Sequence, residues 1–273
     1  MQNNQETSVS QAPSLAATFD YAYSIPKSET MTRLWREVYG DEFPPNEVAA
    51  FSFISRSELE AMARELKMSA SQTLVDLACG GGGPGLWVAR DLGANLVGVD
   101  ISAVGIAQAR ARAGEFGMNG RARFQVGDFM ATGLESDAFD GAMSVDALWL
   151  TFDKASALRE VARILKPGAR FVFTTWESTI PIPNFPPQVQ DHRPLLRAAG
   201  FEVELHQETP NWEKHQRGVY EKILAARDAL LQEQGEGANF MLNEAAFVTG
   251  RVDGTDYLRH SQRMLIVARR KDG

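Results

Sequence analysis

The sequence predicts an α/β fold, a doubly wound and mostly parallel sheet with helices on both faces. Three observations carry this. Strand-like and helix-like segments alternate from Thr73 to Trp176. A glycine-dense turn, Cys79-Gly80-Gly81-Gly82-Gly83-Pro84-Gly85, joins the first of these strands to the first helix. An acid, Asp100, then closes the second strand.

The elements follow in order. Residues 1–18 are rich in Gln, Asn, Ser and Thr and read as a disordered tail. Residues 19–273 read as one domain, beginning with a helical cap over 19–70. The cap opens on the aromatics Phe19, Tyr21 and Tyr23 and continues as a helix through Trp35 and Val38, broken by residues 41–45. Ser57 and Glu60 have capping-box spacing, and Leu59, Met62, Ala63 and Leu66 then recur at helical intervals. Strands are expected over 73–78, 95–100, 122–126, 141–145 and 170–176. Helices are expected between them over 84–92, 102–116 and 154–165. A helix over 190–199 stops at Gly200, and a strand follows over 201–206. One long amphipathic helix is expected over 212–234, another over 243–249, and a last strand over 264–268. The stretch 208–261 is too long for a hairpin turn. It reads as a helical lid inserted before the last strand, with 71–207 and 262–270 as the core.

Composition narrows the partners. The net charge is −7 and no basic cluster stands out, which argues against a nucleic-acid partner. No apolar run approaches the roughly 20 residues that span a bilayer, and the N-terminus has no signal-peptide pattern. Cys79 is the only cysteine, so no intramolecular disulfide forms and a reducing, cytoplasmic compartment is expected. The 4 histidines show no ligand-like spacing and no cysteine partner, so no metal is expected. A homodimer stays open.

The turn suits a nucleotide, because glycine lets backbone lie directly against a ligand. Gly80, Gly82 and Gly85 match the dinucleotide pattern G-x-G-x-x-G, with Asp100 placed to take ribose hydroxyls. Other positions point away from NAD. Asp76 sits inside the first strand, where dinucleotide folds keep an apolar residue. Gly127-Asp128-Phe129 follows the third strand, and Leu165-Lys166-Pro167-Gly168 precedes the fifth. In this order and spacing, these motifs resemble the class I S-adenosylmethionine-dependent methyltransferases, over roughly 73–176.

The resemblance implies a Rossmann-like sheet of seven strands with the last antiparallel. It implies S-adenosylmethionine as cofactor and S-adenosylhomocysteine as product. It also implies roles. Asp76 orients the turn and helps hold the methionine ammonium. Gly80 and Gly82 pass beneath the cofactor. Asp100 takes the ribose hydroxyls, and Ile101 packs on the adenine. Asp128 accepts from the adenine amine, beside the backbone of Phe129. Val145 offers backbone to the amino-acid end. Where the family often has glycine this chain has Ala78, which is tolerated if φ there is negative. The glycine run implies a turn that is flexible when empty.

Methyl transfer is an in-line displacement, and an acceptor hydroxyl or ammonium must also lose a proton. No motif fixes the base. Asp146, after the fourth strand, and His215, near the start of the lid, are the candidates. Tyr21, Tyr23, Trp149, Trp176 and Trp212 lie in segments that would roof a small, apolar or aromatic acceptor. The segments Thr174-Thr175-Trp176, Leu34-Trp35-Arg36-Glu37 and Phe51-Ser52-Phe53-Ile54 resemble bacterial small-molecule methyltransferases, often of secondary metabolism. Three other readings remain. They are an NAD(P)-dependent oxidoreductase, a catalytically silent cofactor-binding protein on the same fold, and an enzyme that couples methylation to cyclisation.

Overall fold

The computed structural model describes residues 14–48 and 51–272. Most of the expected tail, 1–13, lies outside them. Its last residues are helical, because the Ser14 side chain accepts from the Ala17 N–H and caps α1 (Leu15–Ser24). Two more helices follow, α2 (Glu29–Tyr39) and α3 (Arg56–Leu66).

The alternating region then reads β1 (Thr73–Leu77), α4 (Gly83–Leu92), β2 (Asn95–Asp100), α5 (Ala103–Arg112), β3 (Ala122–Val126), β4 (Phe139–Val145), α6 (Lys154–Ile164) and β5 (Leu165–Ser178). After it come α7 (Arg193–Ala198), β6 (Phe201–Glu208), α8 (Trp212–Ala225), α9 (Arg227–Gln234), α10 (Asn239–Val248) and β7 (Ser261–Arg270).

The seven strands pair in the order β3-β2-β1-β4-β5-β7-β6. Strand β7 runs antiparallel to both its neighbours, β5 and β6, and the pairs from β3 to β5 are parallel. Strand order reverses between β1 and β4, and in such sheets the crevice beyond the strand ends at that point takes the ligand.

Two apolar layers clamp the sheet. On one face Leu59, Met62, Leu86, Ile106 and Ala109 bury against Leu74, Leu96 and Met143. On the other, Leu158, Val161, Ile164 and Leu196 bury against Phe171, Phe173 and Ile266. Helix α3 therefore flanks the sheet rather than belonging to the cap. A third cluster, with Leu34, Tyr39, Trp176, Tyr220, Ile223, Leu230 and Leu242, joins α2 to the lid.

Two expectations shift. The capping box is Ser55 with Glu58, not Ser57 with Glu60. Starting there places Leu59, Met62 and Leu66 together on the buried face. The long lid helix breaks at Ala226, whose φ of −95° and ψ of 17° leave the helical basin. The break keeps Leu230 of α9 in the third cluster while Glu233 reaches back to α2.

Candidate active site

The glycine turn leaves β1 at the switch point and enters α4. Asp100, at the end of β2, is 6% exposed and grips the turn. Its Oδ2 accepts from the Gly80 N–H at 2.7 Å and its Oδ1 from the Ser102 N–H at 2.8 Å. Asp76, 2% exposed in β1, packs its carboxylate against Gly85, where a Cβ would overlap Oδ2. Close approach explains the glycines. A Cβ on Gly80 would overlap the Tyr23 hydroxyl, and one on Gly83 the Val48 carbonyl oxygen.

The turn is also held from outside. The Arg112 guanidinium donates to the carbonyls of Gly81 (2.7 Å), Glu47 and Val48. The expected flexible turn is thus corrected to a pinned one. Ala78 departs from expectation as well: its φ is +57°, in the left-handed region, and not negative.

Burial raises the pKa of Asp76 well above the carboxylate range, and the nearby Asp100 charge adds to this. Burial raises Asp100 too, against the two N–H donors that favour its anion. Among the described residues neither acid has a basic side chain in ion-pair contact. Two buried carboxylates without a cationic partner, beside the glycine turn, suit a ligand that is cationic and carries hydroxyls.

The remaining expected donor contacts lie around this turn's rim. Ile101 follows Asp100 and is half-buried. The Asp128 Oδ1 accepts from the Met130 N–H, which shapes the loop after β3. Phe129 is buried in the layer under α6, so only its backbone faces the loop. Val145 ends β4 beside Thr174.

Tyr23 is brought to the donor side rather than to the acceptor roof. Helix α1 lies along α5, where Asp20 accepts from Ser102 Oγ (2.6 Å) and the Val104 N–H (3.1 Å), and Gln108 donates to the Tyr23 carbonyl. Tyr21 points away and is 49% exposed, which removes it from the expected roof.

Beyond β4 and β5 the aromatics converge. Trp149 and Trp176 meet edge to face at 5.5 Å, Phe185 stacks on Trp149 at 5.3 Å, and Phe53 contacts Trp176 at 6.2 Å and Tyr220 at 5.3 Å. Trp212 is buried in the third cluster with its Nε1 on Glu208. A polar chain crosses the roof: Trp176 Nε1 donates to Gln216, Gln216 to the Tyr220 hydroxyl, and that hydroxyl to Glu244. The sequence reading named Phe53 only within the segment Phe51-Ser52-Phe53-Ile54 and missed Gln216, Tyr220 and Glu244. Of these three, only Tyr220 carried a signal, one residue after Val219 on the buried side of α8.

Asp146 is corrected. Its carboxylate is saturated, accepting from Thr174 Oγ1 (2.7 Å), the Phe53 N–H (3.1 Å), and Arg263 Nε (3.0 Å) and Nη2 (3.1 Å). Arg263 also pairs with Glu58 of α3. A carboxylate so engaged anchors the roof to β7 and is not free to take a proton. His215 stacks on Tyr39 at 4.4 Å, and burial lowers its pKa.

A family model described as a methyltransferase domain matches residues 75–173, from β1 to β5. Over that segment the chain is similar to methyltransferases, and its sheet has their Rossmann-like fold. The matched domain holds Asp76, the turn, Asp100, Asp128, Asp146 and Trp149, while Phe53, Trp176, Phe185 and Tyr220 of the roof lie outside it. "Methyltransferase phqN" of Penicillium fellutanum is 34% identical over 46% of this chain and 38% of its own length. "Methyltransferase GfsG" of Streptomyces halstedii is 30% identical over 48% of each. The chain spans about half or less of the length of these curated relatives. Solved structures match over the whole fold. The [4+2]-cyclase SpnF superposes with a TM-score of 0.72 at 23% identity, covering 94% of this chain and 95% of that one. Geranyl diphosphate C-methyltransferase from Streptomyces coelicolor A3(2) gives 0.63 at 18%, covering 96% and 99%.

Proposed function

We propose that this chain transfers the methyl group of S-adenosylmethionine to a small, largely apolar or aromatic metabolite enclosed beneath the roof. The aromatic cluster of Phe53, Trp149, Trp176, Phe185 and Tyr220 carries the reading. It sits beyond the ends of β4 and β5, next to the donor cradle, and enclosed pockets of this kind are mostly apolar with a few placed polar groups. Relatives named as O-methyltransferases, such as resE of Aspergillus sclerotiorum, support methyl transfer as the reaction.

The bound cofactor supplies an electrophilic methyl on a cationic sulfonium. The chain's own residues do the rest. Asp100 presents a fixed carboxylate to the ribose hydroxyls, and Asp76 faces the cationic end with Val145 backbone beside it. Ile101 and Asp128 bracket the adenine, with Phe129 and Ala78 completing the wall. Tyr23 shields the turn from water. His215 is the roof group suited to accept a proton, because its lowered pKa keeps it neutral near pH 7.

Incubating the protein with labelled cofactor and a panel of amines, phenols and carboxylic acids tests this. Methylated small molecules with stoichiometric S-adenosylhomocysteine are expected. Transfer only to protein or RNA would sink the reading. Replacing His215 with Ala should lower kcat by roughly 10²–10⁴-fold, the scale of general-base catalysis, with cofactor affinity unchanged. Unchanged turnover would remove His215 from the mechanism.

A further inference from the structure

We propose that Glu177, Asp191 and His206 form a binding site for one divalent transition-metal ion of the zinc type, separate from the methyl-transfer site. One ligand atom from each of these residues lies within 4.8 Å of the others. His206 Nε2 is 2.9 Å from Glu177 Oε1 and 3.7 Å from Asp191 Oδ1. Ligands about 2.0–2.2 Å from a tetrahedral zinc stand roughly 3.3 Å apart, between these two distances. An imidazole with two carboxylates suits zinc-like ions over magnesium or calcium, which take oxygen.

Three segments bring the atoms together: the end of β5, the loop before α7, and β6. Alternation along β5 decides the face. Thr174 and Trp176 point to the roof side, where Thr174 bonds Asp146 and Trp176 joins the aromatics. Glu177 therefore follows Phe171 and Phe173 on the α7 side. An ion here sits on the far face of the sheet from the acceptor.

Outer contacts fix the first ligand. Glu177 Oε1 accepts from the His192 N–H at 2.7 Å and lies 3.0 Å from His192 Nδ1. His192 is fully buried and its Nε2 has no partner, so the ring proton belongs on Nδ1, donated to Glu177. Ligand carboxylates in metal sites are commonly oriented by such hydrogen bonds. Glu177 is 4% exposed, and among the described residues only His192 and His206 lie within ion-pair distance of it. Asp191 lies on the solvent side, shared with the exposed Arg193 at 2.9 Å, and gives an ion its way in. On binding, the ion takes the place of the proton between His206 Nε2 and Glu177, and the neutral ring keeps its one proton on Nδ1. The sequence concealed the site because its ligands are spread over thirty residues with no repeated spacing.

Calorimetric titration of chelator-treated, dialysed protein with zinc chloride and magnesium chloride tests the proposal. The wild type is expected to bind one zinc per chain, tighter than magnesium, and to melt at higher temperature with zinc. His206→Ala and the solvent-side Asp191→Asn should each weaken zinc binding at least about tenfold, while the exposed His260→Ala binds as wild type. Circular dichroism confirms that each variant is folded. No zinc binding by the wild type, affinity unchanged in both site variants, or magnesium bound as tightly as zinc would each overturn it. These readouts need no methyl transfer, so they stand or fall apart from the proposed function.

Discussion

Ala78 holds a φ of +57° between β1 and the glycine turn, where a Cβ costs about 1–2 kcal/mol and glycine nothing. Ala78→Gly should remove that strain, while the looser unfolded chain returns roughly 0.5–1 kcal/mol. A net stabilisation of up to about 1 kcal/mol is expected in urea titration, and clear destabilisation would contradict the left-handed geometry. Asp100→Ala should weaken S-adenosylmethionine binding by about 1.5–3 kcal/mol, the scale of hydrogen bonds to a charged group. Calorimetric affinity equal to wild type in a folded variant would misplace the ribose. The acid pair also sets a pH dependence. Asp76 and Asp100 have raised pKa values in the fold, so their stabilising contribution is present at low pH, below the unfolded carboxylate range. It is lost as pH rises through the folded values. A cationic cofactor prefers the ionised pair, so its affinity should rise with pH over that same window and binding there should release protons. Titrations in two buffers of different ionisation enthalpy would reveal them; heats independent of buffer would refute the coupling.

Elements differ in how much of them could be read from sequence. Strands β2 and β3 have the expected bounds, because near-continuous apolar runs or short alternation ended at sharp turn signals. The break between α8 and α9 was not legible, since Val219, Ile223, Ala226 and Leu230 keep helical spacing across it, and the bonds that Glu233 makes beyond it go to α2, far away in sequence. Asp146 shows the same limit at the site. Its position after β4 marked it as important, but its partner Arg263 lies 117 residues after it in sequence and its partner Phe53 lies 93 residues before it. No local pattern separates a base from an anchor there. The pairing of Asp100 with the glycine turn was legible because its parts are local to β1, β2 and the turn. Arg263, 1% exposed, ties β7 to α3 through Glu58 and to β4 through Asp146. Arg263→Ala leaves two buried carboxylates unpaired and should cost about 3–5 kcal/mol. A loss below about 1 kcal/mol in urea titration would mean water already reaches the pair.

At the scale of the molecule, cap and lid behave as one roof. Residues 200 apart in sequence meet there. Glu233 of α9 accepts from the Thr30 N–H (3.3 Å), from Thr30 Oγ1 (2.5 Å) and from Ser28 Oγ at the start of α2, and Lys222 of α8 pairs with Glu37 of α2 at 2.8 Å. Beneath them Leu34 and Tyr39 share a core with Ile223, Leu230 and Leu242. Helix α1 bonds mainly to α5 and the donor turn, and meets the lid through Tyr23, Phe51 and Phe240 and through the Gln234 bond to the Pro26 carbonyl. Donor and acceptor sides therefore have mostly separate covers, and loosening one need not loosen the other. Glu233→Ala cuts the polar link between α2 and α9 without touching the donor cradle. Amide exchange should then speed up together in α2, α9 and α10, while β1, β2 and the turn keep wild-type protection. Once an acceptor is found, its KM should rise with cofactor affinity unchanged, because only the acceptor's enclosure has been loosened. Faster exchange in α9 alone would show two separate pieces, and faster exchange in α1 as well would show that the two covers open as one.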